Sequence, residues 1–152
     1  MRLTIWRHGE AGPGSPDRSR TLTEGGVLAL HRRVLDFANR EICGAGQAPT
    51  RILHSPWVRT TQTAKVLGEV LGIHPESTDG LAPGAGIAFV DPLLENTSRH
   101  TVLVGHQPFV SELIWFWLDA CELAPLAPGG WATVELIASA RGAAHLLDAE
   151  VG

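Results

Sequence analysis

Two short motifs place an arginine or a histidine directly behind an apolar run, and such residues are suited to binding a phosphate and attacking it. Arg7-His8-Gly9-Glu10 follows the run Leu3-Thr4-Ile5-Trp6, and Val104-Gly105-His106-Gln107-Pro108 has a similar layout later in the chain. Arginine binds phosphate oxygens in pairs through a planar fork that stays charged. Histidine supplies a nucleophile that is substantially neutral at pH 7, because its ordinary pKa is about 6.5.

A third motif, Ser55-Pro56-Trp57-Val58-Arg59-Thr60, places Arg59 about one turn inside a predicted helix. Helical side chains lean toward the N-terminus, so this guanidinium can reach back to the helix mouth, where free N–H groups and the dipole favour an anion. We predict one phosphate site in which His8 attacks phosphorus while Arg7, Arg59 and His106 bind its oxygens. Two arginines and two histidines can stabilise the transferring group without a metal, so neither a metal nor a cofactor is expected.

Short β-branched runs alternate with segments of helical spacing, and this alternation predicts how the three motifs are held. It is typical of a three-layer α/β/α fold with a mainly parallel central sheet and an antiparallel addition at its edge. Ligands in such folds lie beyond the carboxyl ends of the strands, which is where all three motifs fall. The predicted strands cover residues 2–6, 51–54, 101–105, 131–138 and 144–149.

Capping residues and prolines predict where the helices begin. Thr23 is the expected N-cap of the first helix, and Ser55 with Pro56 is expected to open the second. A third, weaker helix over 87–95 is confined by Pro92, and a fourth runs from Pro108 to about Asp119. The apolar stripe of the first helix is predicted to consist of Val27, Leu30, Val34, Leu35 and Phe37.

Length and charge limit the classes of protein to which the chain can belong. With 152 residues, 1–152 is expected to be a single domain. A formal net charge of −4 argues against general nucleic-acid binding. No apolar run reaches the ~18 residues of a membrane span, and the first residues show no apolar signal-peptide core, so a cytoplasmic location is expected.

Two further features have structural interpretations. Cys43 and Cys121 match no metal or redox spacing, and we expect two buried free thiols. Leu113-Ile114-Trp115-Phe116-Trp117-Leu118 is more apolar than one buried helix face requires. It is interpreted first as a core helix packed on both sides, and second as an exposed aromatic patch for a homodimer or for partner docking.

The order and spacing of the motifs resemble those of the histidine phosphatase superfamily, the phosphoglycerate-mutase-like group, and within it the small SixA-type phosphohistidine phosphatases. The resemblance extends over roughly residues 1–120. It implies that His8 accepts the phosphoryl group and that water then hydrolyses the phosphohistidine, with Arg7, Arg59 and His106 binding phosphate. The matching residues are Arg7-His8-Gly9-Glu10, Arg20, Leu22-Thr23, Gly26, Ser55-Pro56, Arg59, Gln62-Thr63 and Val104-Gly105-His106.

Larger members of the superfamily carry a carboxylate general acid after the third strand, but Gly80-Leu81-Ala82-Pro83-Gly84 has none. A phosphohistidine substrate needs this acid less, because its imidazole can leave as a neutral ring, so the absence favours an N–P bond. Asp79, Glu10 and Asp17 remain as substitutes, although Asp79 is better explained as a turn residue. Arg20 lies on a loop expected to border the pocket, where it is either a solvated side chain or a further phosphate contact.

Four functions follow from this pattern. The first is a phosphatase that acts on phosphohistidine of a partner protein; SixA-type relatives imply a phosphorelay or phosphotransferase-type protein. The second keeps the site but hydrolyses a small phosphorylated metabolite. The third is a module that recognises phosphate or phosphohistidine without turnover, which the nucleophile His8 disfavours. The fourth and weakest is a mutase, because the chain lacks the acid and much of the length of that branch.

Overall fold

A six-stranded mixed sheet forms the centre of the molecule, which a computed structural model describes over residues 1–95 and 99–152. Its strands are β1 (Arg2–Arg7), β2 (Arg51–His54), β3 (Glu76–Ser77), β4 (His100–Gly105), β5 (Trp131–Leu136) and β6 (Ala144–Glu150). Their order across the sheet is β3-β2-β4-β1-β5-β6, with β1 to β4 parallel and with antiparallel pairing of β1 to β5 and of β5 to β6. The predicted parallel sheet with an antiparallel edge is confirmed.

Helices cover both faces of this sheet, which confirms the predicted three layers. One apolar cluster joins the first two helices to Trp6, Ile52 and Val104 of the sheet. A second cluster, on the other face, joins the last two helices to Leu3 and Ile5. The helices are α1 (Glu24–Ala38), α2 (Val58–Leu71), α3 (Asp91–Leu94) and α4 (Phe109–Leu118). Within the described residues, no helix has the length and apolar character that a membrane crossing requires.

Helix α1 begins where the sequence predicts, but one residue of its predicted apolar stripe is not buried. The Thr23 hydroxyl accepts a hydrogen bond from the Gly26 amide at 2.9 Å, so Thr23 is the N-cap. Leu30, Val34 and Phe37 are buried. Leu35 is instead 52% exposed, because it follows Val34 by one position and therefore points about 100° away from the buried face.

Three other elements differ from their predictions. Helix α2 begins at Val58 with Trp57 as its N-cap, so assigning Ser55 and Pro56 to cap and first turn was wrong by two residues. The segment predicted as one helix over 87–95 divides into a 3₁₀ turn at 87–89 and the single-turn helix α3, in which Pro92 occupies the first turn. Strand β3 was not predicted, because its two residues are exposed and show no apolar pattern.

The apolar segment of α4 is a core element. Leu113, Ile114 and Trp117 are almost fully buried, and the other three residues of the hexapeptide are half-buried. The Trp115 indole donates to the Leu123 carbonyl at 2.9 Å, and the Arg141 guanidinium covers the Phe116 ring at 4.9 Å. The core packing of the first interpretation is therefore observed, and a homodimer or docking role for the three half-buried residues stays a prediction.

Both cysteines are free thiols, but only one is shielded from solvent. Cys43 is partly buried, and this burial raises the pKa of its thiol to about 11. Cys121 is exposed, which corrects the prediction of a buried thiol at that position. It lies just beyond Asp119, where α4 ends in a left-handed turn and the chain leaves the core.

A buried histidine at the start of β4 predicts a pH-dependent stability. His100 Nδ1 donates to the Gln47 carbonyl at 2.8 Å, and Nε2 lies 2.8 Å from the Thr4 hydroxyl, from which it accepts when the ring is neutral. Burial lowers the pKa of His100 to about 4, while the unfolded chain titrates near 6.5. The unfolded state therefore binds more protons between these values, and stability is lost as pH falls from 6.5 toward 4.

When His100 is replaced by a residue that does not titrate, we expect the free energy of unfolding to decrease less on lowering the pH than it does in the unmodified chain. In His100→Gln, the loss between pH 7 and pH 5 should be about 2 kcal/mol smaller than in the unmodified chain. Urea denaturation at both pH values measures the difference. Equal losses in the two proteins would show that His100 does not contribute to the pH dependence.

Candidate active site

The ends of two adjacent parallel strands bring the two motif histidines together. Strand β1 ends at Arg7 and β4 ends at Gly105, so His8 and His106 are the next residue of each. The His8 amide extends the ladder by donating to the Gly105 carbonyl at 3.1 Å, and the two imidazole centroids are 5.4 Å apart. The predicted convergence of these two motifs at the carboxyl edge of the sheet is thus observed.

His8 is held as a neutral imidazole with one nitrogen unprotonated. Its Nδ1 donates to the carbonyl of Gly9 at 2.7 Å, and its Nε2 accepts from Nε of Arg59 at 3.2 Å. Burial lowers the pKa of His8 to about 4, the hydrogen bond to Gly9 opposes this shift, and the charges of Arg59, Arg7 and Arg20 lower it further. At neutral pH Nε2 therefore carries a lone pair, which can bond to an electrophile once the Arg59 Nε–H turns from it to the incoming group.

Arg59 lies in the first turn of α2, and its side chain reaches His8 across the helix mouth. Its Nη1 and Nη2 groups donate to the backbone carbonyl and the carboxylate of Asp17, at 2.9 and 3.3 Å. The second turn of α2 is also tied to the loop after β1, because the Gly9 amide donates to the Thr63 hydroxyl at 3.0 Å. A buried guanidinium is thereby fixed beside the His8 lone pair.

His106 is oriented by a serine from the neighbouring strand end. The Ser55 hydroxyl lies 2.8 Å from His106 Nε2, and the Trp57 amide donates to the same hydroxyl at 3.4 Å. With Ser55 donating to Nε2, Nδ1 carries the ring proton and is buried without a partner in the described part of the chain. Burial, followed by the charge of Arg59, lowers the pKa of His106 to about 3. An unpaired buried donor favours an acceptor such as a phosphate oxygen.

Arg7 brings a second guanidinium to the same strand ends. Its Nη1 donates to the Leu126 carbonyl at 2.9 Å, while its Nε is buried with no partner among residues 1–95 and 99–152. Burial lowers the pKa of Arg7, and the positive charge of Arg59 lowers it further. An apolar cleft of about 290 Å³ begins beside Arg7 and includes Gln107 and Trp115.

Arg20 contacts the site through Asp17. Its Nε donates to the Gly12 carbonyl at 2.8 Å and its Nη1 to the Asp17 carboxylate at 2.9 Å. The side chain is one-third exposed, and its charge contributes to the lowered pKa of His8. Arg20 therefore binds the Asp17 carboxylate, which in turn binds Arg59. This role lies between the two that the sequence suggested, a solvated side chain and a direct phosphate contact.

None of the three substitute carboxylates is placed as an obvious proton donor. Asp17 is bonded to two arginines, and the hydrogen bond from Arg20, with smaller effects from Arg59, keeps its pKa below the usual value. Glu10 accepts from the Thr23 hydroxyl at 2.9 Å. Asp79 is exposed in a 3₁₀ turn at Asp79–Leu81, as expected of a turn residue. In the part of the chain that the structure describes, no group of three or more His, Cys, Asp or Glu residues could hold a metal ion.

Two residues of the site were missed by the sequence analysis. Ser55 was interpreted as a helix cap, yet its hydroxyl orients His106. The Trp57 ring lies against the Arg59 guanidinium at 4.9 Å and meets the His106 ring at a centroid distance of 5.2 Å. Their sequence position could have identified Ser55 and Trp57, because both lie between a strand and Arg59, and residues at such a junction border any ligand bound there.

Solved structures share this fold over almost the whole chain. The protein histidine phosphatase SixA in complex with tungstate is 23% identical, with a TM-score of 0.81 over 99% of this chain and 97% of that one. A SixA from Agrobacterium tumefaciens, described as a putative phosphohistidine phosphatase, is 21% identical with a TM-score of 0.80, over 99% and 97% of the two chains.

A mycobacterial glucosyl-3-phosphoglycerate phosphatase is more distant, at 17% identity and a TM-score of 0.68 over 95% of this chain and 96% of that one. No protein-family model and no curated protein sequence matches the chain. The similarity is therefore one of architecture, with little of the sequence shared. The chain has the histidine phosphatase fold, in the form found in SixA.

Proposed function

We propose that this protein is a metal-independent phosphatase that forms a phosphohistidine intermediate on His8 and removes the phosphoryl group from phosphohistidine on a partner protein. The observation that carries this proposal is the pair of hydrogen bonds on His8. The Gly9 carbonyl keeps the proton on Nδ1, and Arg59 Nε lies 3.2 Å from the unprotonated Nε2. A module that only binds phosphate has no need for such a nucleophile beside its arginines.

The reaction has two phosphoryl transfers. In the first, the Nε2 lone pair of His8 forms a bond to phosphorus, and the bond from phosphorus to the substrate imidazole breaks. That electron pair stays on the leaving nitrogen; the ring leaves neutral when its other nitrogen carries a proton. In the second, a water oxygen bonds to phosphorus, the P–Nε2 bond returns its pair to His8, and the water proton passes to phosphate or solvent.

The other three residues stabilise charge on the transferring group. Arg59 and Arg7 supply guanidinium groups, and the Arg7 Nε is a buried donor without a partner in the described residues. His106 supplies an Nδ1 donor that Ser55 orients from the far side of the ring. The unpartnered donors of Arg7 and His106 are preorganised and can stabilise the transition state without rearrangement, whereas Arg59 must first release His8 Nε2.

Phosphohistidine as substrate is supported by the carboxylates. Asp17 is engaged by arginines, Glu10 by Thr23, and Asp79 is exposed, so none of these three carboxylates is poised to protonate an alkoxide. A neutral imidazole needs no such acid. A phosphorelay or phosphotransferase-type protein of the cytoplasm fits this proposal. The similarity to a glucosyl-3-phosphoglycerate phosphatase favours the second candidate, a phosphatase of small phosphorylated metabolites.

The test measures phosphate release in EDTA from a phosphohistidine-bearing carrier protein and from a panel of small phosphomonoesters. We expect rapid release from the carrier and only faint release from the panel. Turnover confined to one small ester would replace the proposal with a metabolite phosphatase. If neither substrate is consumed while inorganic phosphate still binds, the protein is a recognition module.

We expect His8 to titrate well below an ordinary histidine. Burial and three nearby arginines give it a pKa of about 4, so at pH 5 the ring should be mostly neutral with its proton on Nδ1. Nitrogen-15 NMR of the imidazole groups reports both the tautomer and the titration. An inflection near 6.5, or a proton on Nε2, would contradict the proposed nucleophile.

A further inference from the structure

Trp57 forms an aromatic wall beside the two most buried phosphate-binding candidates. The residue is the N-cap of α2 and stands two positions before Arg59. Its ring lies against the Arg59 guanidinium at 4.9 Å and meets the His106 ring at an interplanar angle of 66°. Arg59 and His106 are 6% and 3% exposed, whereas Trp57 is only half-buried. The indole therefore reaches from the floor of the site to its surface.

The need to orient Arg59 does not fully explain why an aromatic ring lies at position 57. The guanidinium already donates to His8 Nε2 and to both the carbonyl and the carboxylate of Asp17. The amide of Trp57, and not its ring, contacts the hydroxyl that orients His106. A large aromatic group left half in water at this position is therefore available for contact with something that enters the site.

A phosphoryl group held by buried arginine and histidine must carry its substituent outward, toward the surface that Trp57 borders. We propose that Trp57 is a specificity residue, whose exposed ring packs against an aromatic ring that carries the phosphoryl group. This inference rests on the proposed phosphatase function and deepens it, since the imidazole of phosphohistidine is such a ring. Aromatic pairs gain about 3–10-fold in affinity beyond their buried area, and an alkyl substituent gains none of this.

A binding experiment tests the contact without requiring turnover. Phenylphosphonate and methylphosphonate share one anionic group and differ in the ring, so calorimetry of both ligands isolates the ring contact. We expect Trp57→Leu to reduce the preference for phenylphosphonate about 3–10-fold while methylphosphonate binding is retained. Trp57→Phe keeps an aromatic ring and should keep most of the preference. Retained methylphosphonate binding also shows that the variant is folded.

Kinetics test the same contact on N–P bonds. Phosphohistidine and phosphoramidate both carry phosphorus on nitrogen, but only the first has a ring. In Trp57→Leu, kcat/KM should fall about 3–10-fold for phosphohistidine and stay nearly constant for phosphoramidate. An equal fall for both, or an unchanged phosphonate preference, would overturn the proposal and leave Trp57 as a support for Arg59. If the unmodified protein hydrolyses neither compound, the proposed function fails while the phosphonate comparison still decides the ring contact.

Discussion

His8→Ala is expected to lower phosphate release from a phosphohistidine carrier by about 10⁴-fold or more, because the variant lacks the proposed acceptor of the phosphoryl group. The unmodified protein, quenched in alkali during turnover of a radiolabelled carrier, should hold acid-labile phosphate. His8→Ala should hold none. Peptide mapping should place the label on the segment that contains His8.

His54 offers a matched control for this experiment. It is the last residue of β2, whereas His8 directly follows β1; it is about as buried as His8, and its Nδ1 lies 2.8 Å from the carbonyl of the next residue, Ser55. Its ring, however, lines a separate cleft of about 590 Å³ with Lys65 and Glu69. His54→Asn should therefore retain the labelled intermediate. Label that survives in His8→Ala would show that another group is the nucleophile.

Arg59→Lys is expected to reduce kcat/KM about 10²–10³-fold even though the charge is kept. Lysine has no counterpart of the Nε–H that lies 3.2 Å from His8, and it cannot present the paired donors of a guanidinium. Steady-state kinetics on the carrier protein and phosphate binding by calorimetry measure the two effects separately.

The control for this substitution is Arg51→Lys, at the opposite end of β2, where Arg51 pairs with Glu76 at 3.2 Å. Because that ion pair is far from the strand ends that carry the site, its loss should leave kcat/KM within about twofold, as expected for an exposed pair. If Arg59→Lys retains nearly full activity, charge alone suffices and the directional role of the guanidinium is wrong.

Much of the site could be predicted because topology places it. Parallel strands end at one edge of a sheet, so residues directly after β1 and β4 had to meet, as His8 and His106 do. Arg59 followed from the lean of helical side chains, and it reaches His8 even though α2 begins two residues later than predicted.

The remaining contacts depend on loops and side-chain packing that leave no periodic signal. Asp17 belongs to a three-residue 3₁₀ turn and meets Arg59 across 42 positions, a pairing that no local pattern specifies. Ser55 was misread because a serine before proline also suits a helix start, and only the tertiary fold brings His106 to its hydroxyl. Strand β3 is two exposed residues long and gave no alternation to recognise.

The contact between Asp17 and Arg59 has a consequence for how tightly the site can bind an anion. Arg59 donates to the carbonyl and the carboxylate of Asp17, so the protein itself compensates part of the desolvation of this buried guanidinium. An incoming phosphoryl group must share Arg59 with the Asp17 carboxylate or displace that carboxylate. Its binding free energy is therefore the difference between its own interaction with Arg59 and the interaction of Asp17 with Arg59. In the proposed reaction, the reverse exchange should favour the departure of inorganic phosphate, so we expect the loop that carries Asp17 to assist turnover by weakening the binding of the product.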